Sequence, residues 1–68
     1  MRYSEFRETV MRTLRARPDG LTWAELRNRL KLPYDRPCPT WVRRMEEVGL
    51  VRTRGPGREL VWKARGRR

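Results

Sequence analysis

Apolar residues recur at helical spacing in three stretches of the chain and at alternate positions in a fourth. Phe6, Val10 and Leu14 stand at i, i+4 and i+8 with Tyr3 on the same side, so residues 3–17 read as a helix. Ser4 suits its N-cap, Glu5 favours the positive helix start, and Arg12, Arg15 and Arg17 crowd the last turn before Pro18-Asp19-Gly20 breaks it. Residues 21–31 read as a second helix. Thr22 is its N-cap and Glu25 completes a capping box, while Leu21 and Leu26 suit a hydrophobic staple. Gly20-Leu21-Thr22 also has room for a strand of one or two residues.

The third helix is expected over residues 39–48. Pro33, Pro37 and Pro39 disfavour helix in the residues before them, which makes Cys38 the cap and Pro39 the first helical residue. Trp41, Val42, Met45 and Val48 share one side of the helical projection, Arg43 and Glu47 the opposite side, and Arg44 the flank. Gly49 sits where a left-handed cap residue belongs. Residues 50–54 and 58–64 then read as strands, the second with Leu60, Trp62 and Ala64 alternating against Glu59, Val61 and Lys63. Between them, Pro56-Gly57 fits a type II turn with glycine at positive φ.

The order is helix, short strand, helix, turn, helix and two strands, an α+β arrangement with one small core at 68 residues. Residues 1–64 are read as one domain and residues 65–68 as a short basic tail. Trp41 and Trp62 are read as core and Trp23 as half-buried packing. Tyr34, Asp35 and Arg36 are placed at a surface turn, with Tyr34 or Arg36 weighed evenly between a phosphate contact and plain solvation.

Charge changes the picture more than size does. Eighteen Lys and Arg stand against eight Asp and Glu, a net charge of +10. A GC-rich genome explains arginine in place of lysine but not the excess of cations, so a polyanionic partner is the better account. The positive charge is densest from Arg52 onward, where seven basic residues face one acid, Glu59. Arginine suits phosphate because its planar fork makes two parallel hydrogen bonds.

Enzyme chemistry finds no foothold. The chain has no histidine and one cysteine, which excludes an internal disulfide and argues against a zinc site. Cys38 has no histidine to support a nucleophilic role. Glu46 and Glu47 are neighbours in sequence and so do not face each other on a helix. No cofactor is expected. No apolar run is long enough for a membrane span or a signal peptide, so a cytoplasmic protein is expected.

The run Met45-Glu46-Glu47-Val48-Gly49-Leu50-Val51, the basic stretch from Arg52 to Arg58, and Leu60-Val61-Trp62 resemble the winged-helix (winged helix-turn-helix) DNA-binding domain. Specifically, they are similar to the recognition-helix end and wing of small bacterial and archaeal regulators of the ArsR-, MarR- and PadR-like groups. Gly20 to Leu26 resembles the entry to their second helix. The resemblance implies a β-hairpin wing, double-stranded DNA as partner and a role in transcription regulation. Helix 3 would enter the major groove, presenting Thr40, Arg43 and Arg44 with Arg36 just before it. Arg52, Arg54 and Arg58 of the wing would lie on the backbone or in the adjacent minor groove. Regulators of this size often act as homodimers, and helix 1, with Met11 at the edge of its stripe, or the tail would supply the contact. One departure stands out: the first turn, Pro37-Cys38-Pro39-Thr40, offers few groups for base edges and favours charge-led binding. The alternative reading is a protein-interaction or RNA-binding module of a larger assembly.

Overall fold

In the computed structural model, which describes residues 1–65, three helices pack on one side of a small antiparallel sheet. The elements are α1 (Tyr3–Arg15), β1 (Leu21–Thr22), α2 (Trp23–Leu30), α3 (Pro39–Glu47), β2 (Leu50–Arg54) and β3 (Leu60–Ala64). Strand order is β1-β3-β2, so the last strand in the chain is the middle strand of the sheet. The register pairs Leu21 with Trp62 and Arg52 with Trp62, and runs from Leu50 opposite Ala64 to Arg54 opposite Leu60. Alternation therefore sets Leu21, Leu50, Arg52, Arg54, Leu60, Trp62 and Ala64 on one face, the face turned to the helices. No helix among the described residues is long and apolar enough to cross a membrane.

Local chemistry accounts for the boundaries. Thr22 Oγ1 accepts from the Glu25 amide at 3.2 Å, and Glu25 Oε1 accepts from the Thr22 amide at 2.9 Å, which is the reciprocal capping box. Cys38 caps α3, and Pro39 occupies its first turn. Helix α1 begins two residues earlier than a Ser4 cap would allow. Arg2 is the cap residue, and its amide donates to Glu5 Oε1 at 3.0 Å, so Glu5 rather than Ser4 fixes this end. The helix ends at Arg15, and the Arg17 amide then turns back to the Leu14 carbonyl at 3.0 Å.

The core is built on aromatic rings. All six aromatic residues join one network: Trp62 to Trp23 (5.4 Å between centroids), Trp23 to Phe6, Phe6 to Trp41 (5.0 Å) and Tyr34, and Trp41 to Tyr3 and Tyr34. Tilted and edge-on pairs of this kind each add about 0.5–1.5 kcal/mol beyond the area they bury. Trp62 is 1% exposed and is the largest fully buried side chain, with Leu14, Leu26, Met45 and Val10 around it in the same core. Trp41 and Trp23 are half-buried at its edge.

Two expectations about buried positions are corrected here. Val48, expected on the core side of the third helix, is 56% exposed. The helix ends at Glu47, and Val48 is its cap with φ −114° and ψ 18°. Once the backbone leaves helical dihedrals, the helical projection no longer says where a side chain points. Gly49, at φ 121°, takes the buried place instead. Met11, expected at the edge of the helix 1 stripe where it would serve a dimer contact, is 5% exposed and belongs to the core, so it offers little surface to such a contact.

The β2–β3 turn is also not type II. Positive φ falls on Arg58 (73°), not on Gly57. The Arg58 amide donates to the Gly55 carbonyl at 3.0 Å and the Gly55 amide to the Glu59 carbonyl at 2.9 Å. This is the three-residue connection in which a left-handed residue follows the turn. It delays β3 to Leu60, two residues beyond the expected start. Beyond Arg65, the basic tail lies outside the described residues.

Candidate nucleic-acid interface

The exposed side of α3 carries Thr40, Arg43, Arg44 and Glu47. The buried side holds Val42 and Met45. Arg43 points away from the core with no ion pair among the described residues. Arg44 is held differently: its guanidinium lies 4.3 Å from the centroid of the Tyr3 ring, a cation–π contact that ties the flank of α3 to the start of α1. Glu47 shares the outward arc with Thr40 and Arg43, so the helix presents an anion among its cations.

The prolines do what their backbone chemistry requires. Pro37 and Pro39 flank the Cys38 cap, and α3 is only nine residues long. Arg36 is exposed just upstream. The preceding turn lies at the surface as expected, with Asp35 and Arg36 exposed and Tyr34 half-buried. Tyr34 packs edge-on against Phe6 and Trp41, and its neighbour Asp35 is tied down twice. The Asp35 carbonyl accepts from Trp23 Nε1 at 2.9 Å, and its carboxylate pairs with Arg27 at 3.0 Å. Trp23 is the signal that locates this anchor, because a half-buried indole N–H needs an acceptor. Nothing in the spacing of Asp35 reveals it.

The arginines of β2 and its turn divide into two kinds. Arg52 is committed to the fold: its Nε lies 3.2 Å from Glu46 Oε2, and its guanidinium lies 5.8 Å from the Trp62 ring centroid. It ties β2 to α3 and carries a neutralised charge. Arg54 and Arg58 are exposed at the turn. Arg54 Nη1 donates to the Arg58 carbonyl at 2.6 Å. Arg54 also lines a groove of about 410 Å³ with Pro37, Trp23, Leu60 and Trp62. The charged end of β2 therefore stands beside the residues that lead into α3.

The structure thus brings Arg36, Thr40, Arg43, Arg44, Arg54 and Arg58 to the surface and sets Arg52 between sheet and helix. Tyr3, the ring that orients Arg44, belongs to this surface as well, which its place in the α1 stripe does not reveal. No protein-family model, no curated protein and no solved structure matches the chain.

Proposed function

We propose that the chain is a winged-helix domain that binds duplex DNA, with the β2–β3 pair as the wing. The observation that carries this is the groove shared by Arg54 and Pro37, which sets the exposed cationic turn next to the start of the exposed cationic helix. A helix of this diameter fits the major groove, and the adjacent turn then meets the flanking backbone or minor groove. Arg43 and Thr40 face base edges and phosphates, Arg36 and Arg44 flank them, and Arg54 and Arg58 supply charge contacts. Arg52 contributes little, since Glu46 already neutralises it. A role in transcription regulation follows from this reading as its simplest use.

Binding on this scheme is led by charge. The first turn of α3 is Pro39, Thr40 and Trp41, which leaves one hydroxyl for base recognition. Glu47 lowers the affinity of the same face for phosphate. The scarcity of base-reading groups also favours the second reading, a protein- or RNA-binding module, and Glu47 favours its protein arm; one experiment separates this reading from the first. Duplex binding of the wild type and of the double variant Arg43→Glu/Arg44→Glu is measured by fluorescence anisotropy across a salt series. The expected wild-type log–log slope is about −3 to −5, from roughly four to five neutralised phosphates. The double variant should lose binding by at least about tenfold and show a shallower slope. A flat salt dependence, or full binding by the double variant, refutes the DNA reading.

A further inference from the structure

A second cationic surface lies on α1. Arg7, Glu8, Met11, Arg12 and Arg15, with Val48 from the end of α3, line an open groove of about 580 Å³. Val48 gives it one exposed apolar side chain among charged ones. Val48 is 56% exposed, and besides Met1 it is the large hydrophobic side chain that stands open among the described residues. Met11 lies beneath it, with its Cε 3.7 Å from the position a Cβ would take on Gly49. The rim is basic. Arg7, Arg12 and Arg15 form no ion pair among the described residues, and Arg7 leans on the Tyr3 ring at 5.6 Å. The Arg65 amide donates to the Gly49 carbonyl at 2.7 Å and fixes the backbone next to Val48.

We propose that this groove docks an acidic amphipathic helix of a partner protein. The occupant sets one aliphatic side chain on Val48 and pairs carboxylates with Arg7, Arg12 and Arg15. Spacing supports a helical occupant. Arg7 and Arg15 are eight residues apart on α1, about 12 Å along the axis. Carboxylates one helical turn either side of a central leucine span the same length. Charge complementarity selects an acidic partner and disfavours a second copy, which would set arginines against arginines. A nucleic-acid backbone fits less well, because it gains nothing from the apolar side chain of Val48. This surface does not depend on the DNA reading and involves none of the residues assigned to it.

The test uses the full chain and a fluorescein-labelled helical peptide with Glu-x-x-x-Leu-x-x-x-Glu along one face. Two control peptides carry Leu→Ser or both Glu→Lys. Anisotropy gives affinity, and amide shifts in ¹H–¹⁵N spectra give the location. The expected result is binding with shifts at residues 7–15 and 48–49. Loss of about tenfold or more is expected for either control peptide, for Val48→Ser and for Arg12→Gln/Arg15→Gln. All three protein positions are exposed, and a thermal melt checks that each variant folds. Val48→Ser leaves the net charge unchanged, so its duplex binding should stay within about twofold of wild type. The proposal is overturned by no peptide binding up to about 1 mM, a −4 kcal/mol interaction. Equal binding of the Leu→Ser peptide, shifts centred on α3 and the β2–β3 turn, or a tenfold loss of duplex binding in Val48→Ser also overturns it.

Discussion

Arg54 donates a guanidinium N–H to the main-chain carbonyl of Arg58 at 2.6 Å, so one exposed arginine fastens the turn that carries the other. Arg58 itself sits at φ 73°, where a Cβ is strained by roughly 1–2 kcal/mol. Arg58→Gly should therefore raise the thermal midpoint, by about 4–8 °C for each kcal/mol relieved in a domain of this size. The same variant should weaken duplex binding and reduce the salt slope by about one. Calorimetry and anisotropy on one preparation check both, and a lower midpoint would show that the arginine stem packs on the turn.

The two neighbouring acids of α3 should respond oppositely. Glu47 is exposed, forms no ion pair among the described residues and shares the outward face with Arg43. Glu47→Gln should tighten duplex binding a few-fold with stability unchanged within about 0.5 kcal/mol. Glu46 is paired with Arg52, with side chains 41% and 28% exposed. Glu46→Gln should cost at most about 1 kcal/mol, because a pair this wet is well screened. If Glu47→Gln leaves affinity untouched, phosphate does not approach the outer face of α3.

Glycines at positive φ should not be equally replaceable. A Cβ on Gly20 would stand 2.6 Å from the Val61 side chain and 2.7 Å from the Trp62 carbonyl, in addition to the strain of φ 87°. On Gly49 the nearest atom is Met11 Cε at 3.7 Å, leaving only the strain of φ 121°. Gly20→Ala should cost more than about 2 kcal/mol and Gly49→Ala about 1–2 kcal/mol by urea unfolding. Equal costs would mean that β3 can yield at Gly20.

Trp62→Ala removes the side chain on which both faces of the core close. Truncations of this kind cost about 3–5 kcal/mol, most of the stability of a small domain. Near-UV circular dichroism should collapse, while Trp41→Ala, at the half-buried edge of the ring network, should keep a cooperative melt.

Much of this architecture was legible because the relevant signals are local. Thr22 and Glu25 carry the spacing of a capping box, a proline such as Pro39 fits a helix only in its first turn, and alternation from Leu60 to Ala64 names the buried face. Errors arose where the backbone left regular dihedrals. Val48 follows the helical projection until Glu47 and then departs from it. Arg58, not Gly57, takes the left-handed position, although glycine is the residue that prefers it. The exposed arginines of α3 and the turn were found from charge and phase alone. Side-chain pairing across the fold was not: Arg52 to Glu46, Arg44 to Tyr3 and Asp35 to Trp23 depend on how elements dock, which no short-range pattern encodes.

The strand order β1-β3-β2 has a consequence for synthesis. The central strand is made last, and it supplies the hydrogen-bonding partner of both edges along with Trp62. Until residues 60–64 emerge from the ribosome, a nascent chain holds three short amphipathic helices and two unpaired edges, with apolar surface open to chaperones or to aggregation. The sheet therefore cannot close, nor Trp62 be buried, until the last of its strands has been made.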